Sequence, residues 1–309
     1  MIIQRPGNFN PAYWLYHTFW IGVDWFYPPT CGGCGKFGER WCEMAKTFGA
    51  ELVTHKVEWG KAVKVEDIQA LLQKHPDTKI VFTQAGETST GVKHPIEALG
   101  ALIASYPDCL FLVDGITALG AFPLPMDAWK IDGLVGGSQK AFMLPTGLAM
   151  FSFSKKAWAK IEKNSQPRFY FDVRKEKKAN QNGETFFSSN VTLIRALDVV
   201  LDLILQKGLS ALFQEISERA AWTRKMGQDL GFTLYSEVPA ESVTALQVPA
   251  GMDGQKIRAE LEKQFNITIM GGQDQAKGKI IRIGHMGYIQ QSDLEDLKHG
   301  LQQIMSKKT

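Results

Sequence analysis

The fold of this chain is constrained most by two short apolar runs near its middle. Each run is followed by a residue whose side chain could take part in catalysis. The first run, Leu110–Val113, stops at Asp114, and the second, Gly133–Val135, leads through Gly-Gly-Ser-Gln to Lys140. Short apolar runs bounded by turn residues are typical of buried strands. In open α/β sheets, ligands bind beyond the carboxyl ends of the strands. We therefore expect this carboxylate and this lysine at the edge of a sheet where a reaction takes place.

Strand and helix patterns alternate over much of the chain, which predicts a mostly parallel sheet covered by helices on both faces. Two long helical patterns, about 190–206 and 209–229, then precede a smaller α+β arrangement, in which strands are expected at 267–270 and 279–283. The charged segment 172–184 is expected to be a solvated loop. The domains are predicted as an atypical aromatic-rich segment (1–34), a large domain (35–189) and a small C-terminal domain that includes the linking helix (190–309).

The composition excludes several classes of protein. The chain has 309 residues, of which 44% are hydrophobic and 22% charged, as in an ordinary globular protein. A net charge of +3 is too small to indicate binding to nucleic acid or a membrane surface. No run approaches the roughly 18 apolar residues of a membrane span. The single Cys31–Cys34 pair lacks the second pair that a zinc site needs, so no metal is expected. The expected location is the cytoplasm.

Lys140 and Asp114 each have a structural and a chemical interpretation. A lone lysine is usually a solvated surface charge, but Lys140 is followed by the apolar run Ala141–Leu144. Apolar surroundings disfavour the ammonium form and favour the neutral amine that Schiff-base chemistry requires. Asp114 could simply cap a turn. Alternatively, it could face a cationic nitrogen, as the acid beside the pyridine nitrogen does in pyridoxal phosphate enzymes.

Two further segments add candidate binding groups. The run Glu87–Gly91 is rich in hydroxyls and follows an apolar strand pattern, which is consistent with either a plain turn or contacts to a cofactor. Arg282 lies between isoleucines in a strand pattern, and a buried charge needs a partner. Its partner would be either a structural carboxylate or the carboxylate of a substrate, which a guanidinium can hold with two hydrogen bonds.

Several motifs in collinear order resemble the class V aminotransferases, in particular the alanine–glyoxylate and serine–glyoxylate aminotransferase group. They are GKFGERW (35–41), ETSTGV (87–92), the long segment 112–149, RFYFD (168–172) and GGQDQAKGKIIRIGHMG (271–287). The resemblance runs from about Gly35 to the C-terminus. It implies an α/β fold-type I pyridoxal-phosphate-dependent transferase. The large domain would contain a mostly parallel sheet, incomplete at its N-terminus, and the smaller C-terminal domain would be α+β.

The resemblance also implies roles for individual residues. Lys140 matches the lysine that forms a Schiff base with pyridoxal 5'-phosphate, Asp114 the acid at the pyridine nitrogen, and Arg282 the arginine that binds the substrate carboxylate. Four more positions match cofactor contacts: a stacked ring at Phe37, a hydroxyl at Thr88, a phosphate neighbour at Gln139, and at Ser188 a residue that reaches the partner subunit's phosphate. The last match implies a homodimer with shared active sites.

This sequence departs from the family pattern in three places. Nothing in residues 1–34 resembles the Ser-Gly-Thr loop that holds the cofactor phosphate at a helix N-terminus. The usual Thr-Pro-Pro-Val stretch reads Ser188-Ser189-Asn190-Val191, and Ala85 replaces a common histidine. We therefore expect an N-terminally truncated or altered member of the family with weakened affinity for the cofactor.

The function predicted from this resemblance is transamination between a small amino acid, serine or alanine, and a small 2-oxo acid, glyoxylate or pyruvate. The alternative is a catalytically impaired fragment or pseudoenzyme that keeps the fold but lacks the phosphate-binding loop. Cysteine desulfurase activity would need a nucleophilic cysteine in the C-terminal half, whereas the last cysteine is Cys109. A nickel-iron hydrogenase subunit would need two CxxC pairs, and the chain has one.

Overall fold

A mostly parallel seven-stranded sheet organises the larger part of the molecule. The computed structural model describes residues 2–4, 30–33, 35–165 and 168–306. The strands are β1 (Ile2–Gln4), β2 (Thr30–Gly33), β3 (Val53–Lys56), β4 (Ile80–Gln84), β5 (Gly86–Glu87), β6 (Val92–Lys93), β7 (Leu110–Asp114), β8 (Gly133–Gly137), β9 (Leu148–Phe153), β10 (Thr233–Leu234), β11 (Val243–Gln247), β12 (Met270–Gly271) and β13 (Ile280–Gly284). The order in the large sheet is β1-β9-β8-β7-β4-β2-β3, and only β9 runs against its neighbours.

Helices cover both faces of this sheet and continue into the second half of the chain. They are α1 (Lys36–Thr47), α2 (Val65–Lys74), α3 (Ile96–Ile103), α4 (Lys155–Lys163), α5 (Val173–Gln181), α6 (Val191–Lys207), α7 (Leu209–Asp229), α8 (Gly254–Phe265) and α9 (Gln291–Ser306). Gly208, at a φ of 84°, separates α6 from α7, and glycine adopts this left-handed conformation without steric cost.

Alternate residues of the central strands pack on opposite faces of the large sheet, as period-two strands require. Phe82 and Leu112 face α1, where the Trp41 ring lies 5.3 Å from that of Phe82. Phe111 and Val113 face the opposite core, which α2 and α3 complete. Both faces are buried, which explains why these strands read as continuous apolar runs in the sequence.

A four-stranded antiparallel sheet, β10-β11-β13-β12, forms a separate core with α7, α8 and α9. The segment between β10 and β11 contacts the large-sheet half at β6, since Val92 bridges Pro239 and Lys93 forms an ion pair with Glu241 at 2.8 Å. The predicted α/β fold class is confirmed. The boundaries at 34/35 and 189/190 stay a prediction, and residues 1–34 lie outside the described residues apart from two short strands.

The prediction of a solvated loop over 172–184 is wrong, because residues 173–181 form α5. The helix begins where the Asp172 carboxylate accepts the backbone N–H of Arg174 at 3.1 Å. Glu176 turns inward and accepts hydrogen bonds from Asn180 Nδ2 and from the backbone N–H of Phe186. Capping and one buried carboxylate therefore order a segment whose composition alone indicated a loop.

The strand expected at 267–270 is also mostly absent, since β12 contains only Met270 and Gly271. Asn266, at a φ of 55°, ends α8 in the left-handed conformation, and the N–H of Ile267 bonds back to the Leu261 carbonyl. Because the helix end uses the backbone N–H of Ile267, this group is not available for pairing in a longer strand. The strand expected at 279–283 is present one residue later, as β13.

Two features that would suggest other functions are missing from the part of the chain that the structure describes. No helix there is long and apolar enough to cross a membrane. No group of three or more histidine, cysteine, aspartate or glutamate side chains there could hold a metal ion.

Candidate active site

The carboxyl ends of β4, β7 and β8 lie side by side and carry the central carboxylate. Asp114 is the last residue of β7 and pairs in register with Gln84 of β4 and Val135 of β8. Only 6% of its surface is exposed. Trp41 Nε1 donates to its Oδ2 at 3.1 Å, and the backbone N–H of Ile116 donates to Oδ1 at 2.9 Å. These bonds hold the carboxylate in a fixed orientation at the strand end.

Lys140 lies half-buried in the loop after β8, and the hydroxyl of Ser138 shapes that loop. The Ser138 hydroxyl donates to the Pro145 carbonyl at 2.8 Å and accepts from the Leu148 N–H at 3.1 Å, which ties both ends of the loop together. Burial, together with the positive charge of Arg282, lowers the pKa of Lys140, while Asp114 acts in the opposite direction. The neutral amine, which is the nucleophilic form, is thereby favoured.

Glu87 is the most heavily bonded carboxylate of the site, and its surface is fully buried. Oε2 accepts the N–H groups of Phe37 and Gly38, at 3.1 and 3.0 Å, and Oε1 accepts both the N–H and the hydroxyl of Ser89, at 3.0 and 2.6 Å. A Cβ at Gly35 would lie 2.5 Å from Glu87, so only glycine allows this approach. Burial raises the pKa of Glu87. The carboxylate fixes the first turn of α1 against the β5–β6 hairpin.

Arg282 connects the small sheet to the same hairpin. Its Nη1 donates to the Thr88 carbonyl at 2.7 Å, and its Nε donates to the Gly271 carbonyl at 2.9 Å. The residue is 4% exposed, and burial lowers the pKa of its guanidinium, which Glu87 opposes. The backbone bonds orient the guanidinium while leaving three of its five N–H groups outside these two contacts.

The remaining predicted groups lie along the edges of this network. The half-buried Phe37 ring is in the first turn of α1, and the Arg40 guanidinium carbon lies 5.2 Å from its centroid. Lys36 Nζ reaches across to the Asp274 carboxylate of the small-sheet half, at 2.7 Å. Gln139 Oε1 is buried without a hydrogen-bond partner among the described residues. The Thr88 hydroxyl lies 3.3 Å from that of Thr117.

Six of the seven predicted site residues thus lie around one set of strand ends, while Ser188 differs. Ser188 is exposed, in a surface groove whose lining within the described residues comes from Asn180 through Ile194. Sequence reasoning assigned no role to Glu87 or Trp41, although each lies inside a quoted motif. The available signal for Glu87 was an acid at the start of a hydroxyl-rich run that directly follows an apolar strand pattern.

Comparison with known proteins gives consistent matches. A family model described as aminotransferase class-V matches residues 39–297. A soluble hydrogenase small subunit from a Synechococcus species is 35% identical over 280 residues, 89% of this chain and 73% of that protein. A serine–glyoxylate aminotransferase from Methylorubrum extorquens is 32% identical over 272 residues, 84% of this chain and 67% of that protein. The crystal structure of alanine–glyoxylate aminotransferase from a Nostoc species superposes with a TM-score of 0.92 at 27% identity, covering 99% of this chain and 81% of that one.

Proposed function

Because the chain belongs to the class V aminotransferase family, which depends on pyridoxal phosphate, we propose that it moves an amino group between a small amino acid and a small 2-oxo acid. The donor would be serine or alanine, and the acceptor glyoxylate or pyruvate. The observation that supports this most is the lysine of lowered pKa that interacts electrostatically with both Asp114 and Arg282. The glyoxylate aminotransferase names of the relatives support the choice of acceptor.

The residues at the strand ends fit the cofactor on chemical grounds. A primary amine, a fixed carboxylate and an aromatic ring suit the aldehyde, the ring nitrogen and the ring face of pyridoxal phosphate. Gln139 Oε1 is a buried acceptor that lacks a partner among the described residues, and such atoms need a bond from elsewhere. We propose that Lys140, Asp114, Phe37, Thr88 and Gln139 hold the cofactor.

When bound, pyridoxal phosphate supplies an electron sink for the charge that develops at the substrate Cα. Lys140 Nζ would first hold the cofactor and then move a proton to and from the Cα region as a general base and acid. A lowered pKa suits both tasks, because the amine must exchange its proton near the working pH. Asp114, held by two donors, would keep the ring nitrogen protonated.

Arg282 would bind the substrate carboxylate with the N–H groups that its two backbone contacts leave over. Paired N–H donors match the two oxygens of a carboxylate, which fixes the substrate's orientation as well as adding affinity. The bonds to the Thr88 and Gly271 carbonyls would prevent the guanidinium from turning. We therefore propose that Arg282 orients the substrate, while Lys140 transfers the proton at the substrate Cα.

Ser188 would act across a homodimer interface, each chain supplying its hydroxyl to the other chain's cofactor phosphate. The exposure of Ser188 is consistent with a residue that a second copy of the chain would contact. The nearby Phe169 and Val191 are exposed as well. Small-angle scattering or sedimentation gives the mass in solution. A protein that stays monomeric at assay concentration would contradict this assignment.

The proposed reaction is tested by incubating the protein with pyridoxal phosphate, serine or alanine, and glyoxylate or pyruvate. Glycine should form from glyoxylate with either donor, or alanine from pyruvate with serine as the donor, in proportion to cofactor loading, and Lys140→Ala should abolish the product. A wild-type protein that binds the cofactor stoichiometrically but transfers no amino group with any donor and acceptor pair would contradict the proposal. Cofactor binding too weak to saturate would instead favour the impaired-fragment alternative.

A further inference from the structure

Gln84 carries a buried amide whose hydrogen-bonding groups are unpaired within the described part of the chain. It is the last residue of β4 and only 1% exposed. Neither its Oε1 nor its Nε2 has a hydrogen-bond partner among the described residues. Buried donors and acceptors are almost always paired, because an unpaired one keeps the full cost of losing water. A side chain with both ends unpaired therefore needs an explanation.

The position of this amide is next to the proposed cofactor acid. Gln84 pairs in register with Asp114, and lateral neighbours in a sheet point to the same face. The indole of Trp41 marks that face, since it stacks on Phe82, two residues before Gln84, and donates to Asp114 Oδ2. The Gln84 amide therefore lies on the Asp114 side of the sheet, at the strand ends.

The neighbouring donors do not serve the Gln84 amide. The Trp41 Nε1–H is directed to Asp114, and the N–H of Ile116 bonds to the other oxygen of the same carboxylate. The amide of Gln84 is thus beside a hydrogen-bonded carboxylate without being part of its network. An amide both donates and accepts, so a ligand atom of either kind at the strand ends would satisfy it.

We propose that Gln84 is a further cofactor-binding residue, whose carboxamide bonds to pyridoxal phosphate on the side that Asp114 would hold. This inference rests on the proposed function. Glutamine suits the position because it is neutral. A second carboxylate beside Asp114 would repel it and raise the cost of keeping that acid ionised.

The test compares Gln84→Met, which keeps the length of the side chain without its polar atoms, with wild type. Two quantities are measured: the melting temperature of the cofactor-free protein and the dissociation constant for pyridoxal phosphate. We expect the melting temperature of the variant to be unchanged or higher, because an unpaired buried amide is removed. We expect the dissociation constant to rise roughly tenfold, as the loss of one or two hydrogen bonds implies.

A matched control and a second variant separate the possible outcomes. Gln228→Met, at an exposed position of α7, should change neither quantity. Gln84→Glu should weaken cofactor binding more than Gln84→Met does, because it adds a charge next to Asp114. A Gln84→Met protein that binds the cofactor as tightly as wild type would overturn this inference alone. A cofactor-free variant that melts several degrees lower would also overturn it, by showing that the amide is structural. A wild type that binds no cofactor would overturn the proposed function as well.

Discussion

The buried Glu87 carboxylate joins the first turn of α1 to the β5–β6 hairpin, and Glu87→Ala should destabilise the protein strongly. The substitution removes the acceptor of four hydrogen bonds, three of them from backbone N–H groups. Hydrogen bonds to a charged group contribute roughly 1.5–3 kcal/mol each, but the buried carboxylate also costs free energy. The raised pKa of Glu87 reflects that cost. We expect a net loss of about 3–5 kcal/mol, as for other broken buried charge contacts.

A loss of this size should lower the melting temperature by about 5–8 °C in a chain of this length. Thermal and urea unfolding, followed by circular dichroism on the cofactor-free protein, measure it directly. Glu97→Ala is the matched control, since Glu97 lies in the first turn of α3 but is exposed. That control should change the free energy of unfolding by less than about 1 kcal/mol. If both variants lose the same small amount, the assignment of Glu87 as the anchor of α1 is wrong.

Two further predictions concern protonation. Burial and the positive charge of Arg282 both lower the pKa of Lys140, so Arg282→Gln should raise that pKa, whereas Arg282→Lys should keep it low. The pH dependence of reductive methylation at Lys140 measures this pKa. Equal pKa values in the two variants would contradict the electrostatic argument. Burial lowers the pKa of His94 to about 4 and that of His285 to about 3, from 6.5. As the pH falls, these histidines bind protons in the unfolded chain at a higher pH than in the folded protein. Each should therefore lower the free energy of unfolding by about 3 kcal/mol at pH 4 relative to pH 7. A urea midpoint that does not change over this range would contradict this prediction.

The large sheet could be predicted because its strands are buried on both faces. Each of β4, β7 and β8 is a short apolar run bounded by small or charged residues, and the short length together with the flanking residues identifies such runs. The helix α5 could not be predicted in this way, because it depends on a cap at Asp172 and on one inward-turned carboxylate, Glu176. A composition rich in charge gives no sign of which single charge will be buried.

The candidate site divides along similar lines. The positions of Asp114 and Lys140 at the carboxyl ends of β7 and β8 could be predicted, since both come at the ends of apolar strand patterns, whereas their roles stay a proposal. The roles of Glu87 and Gln84 could not be predicted. The role of Glu87 depends on partners about 50 residues away, and that of Gln84 on its lack of a partner among the described residues. The role predicted for Ser188 differs from both, because it depends on a second copy of the chain.

The central claim is that Lys140 is the amine that holds pyridoxal phosphate. It is tested most directly by loading the protein with the cofactor, reducing it with borohydride and mapping the modified peptide by mass spectrometry. We expect one stoichiometric adduct on Lys140, and none at that level in Lys140→Arg. Reduced cofactor spread over surface lysines, or an equal yield in Lys140→Arg, would contradict it.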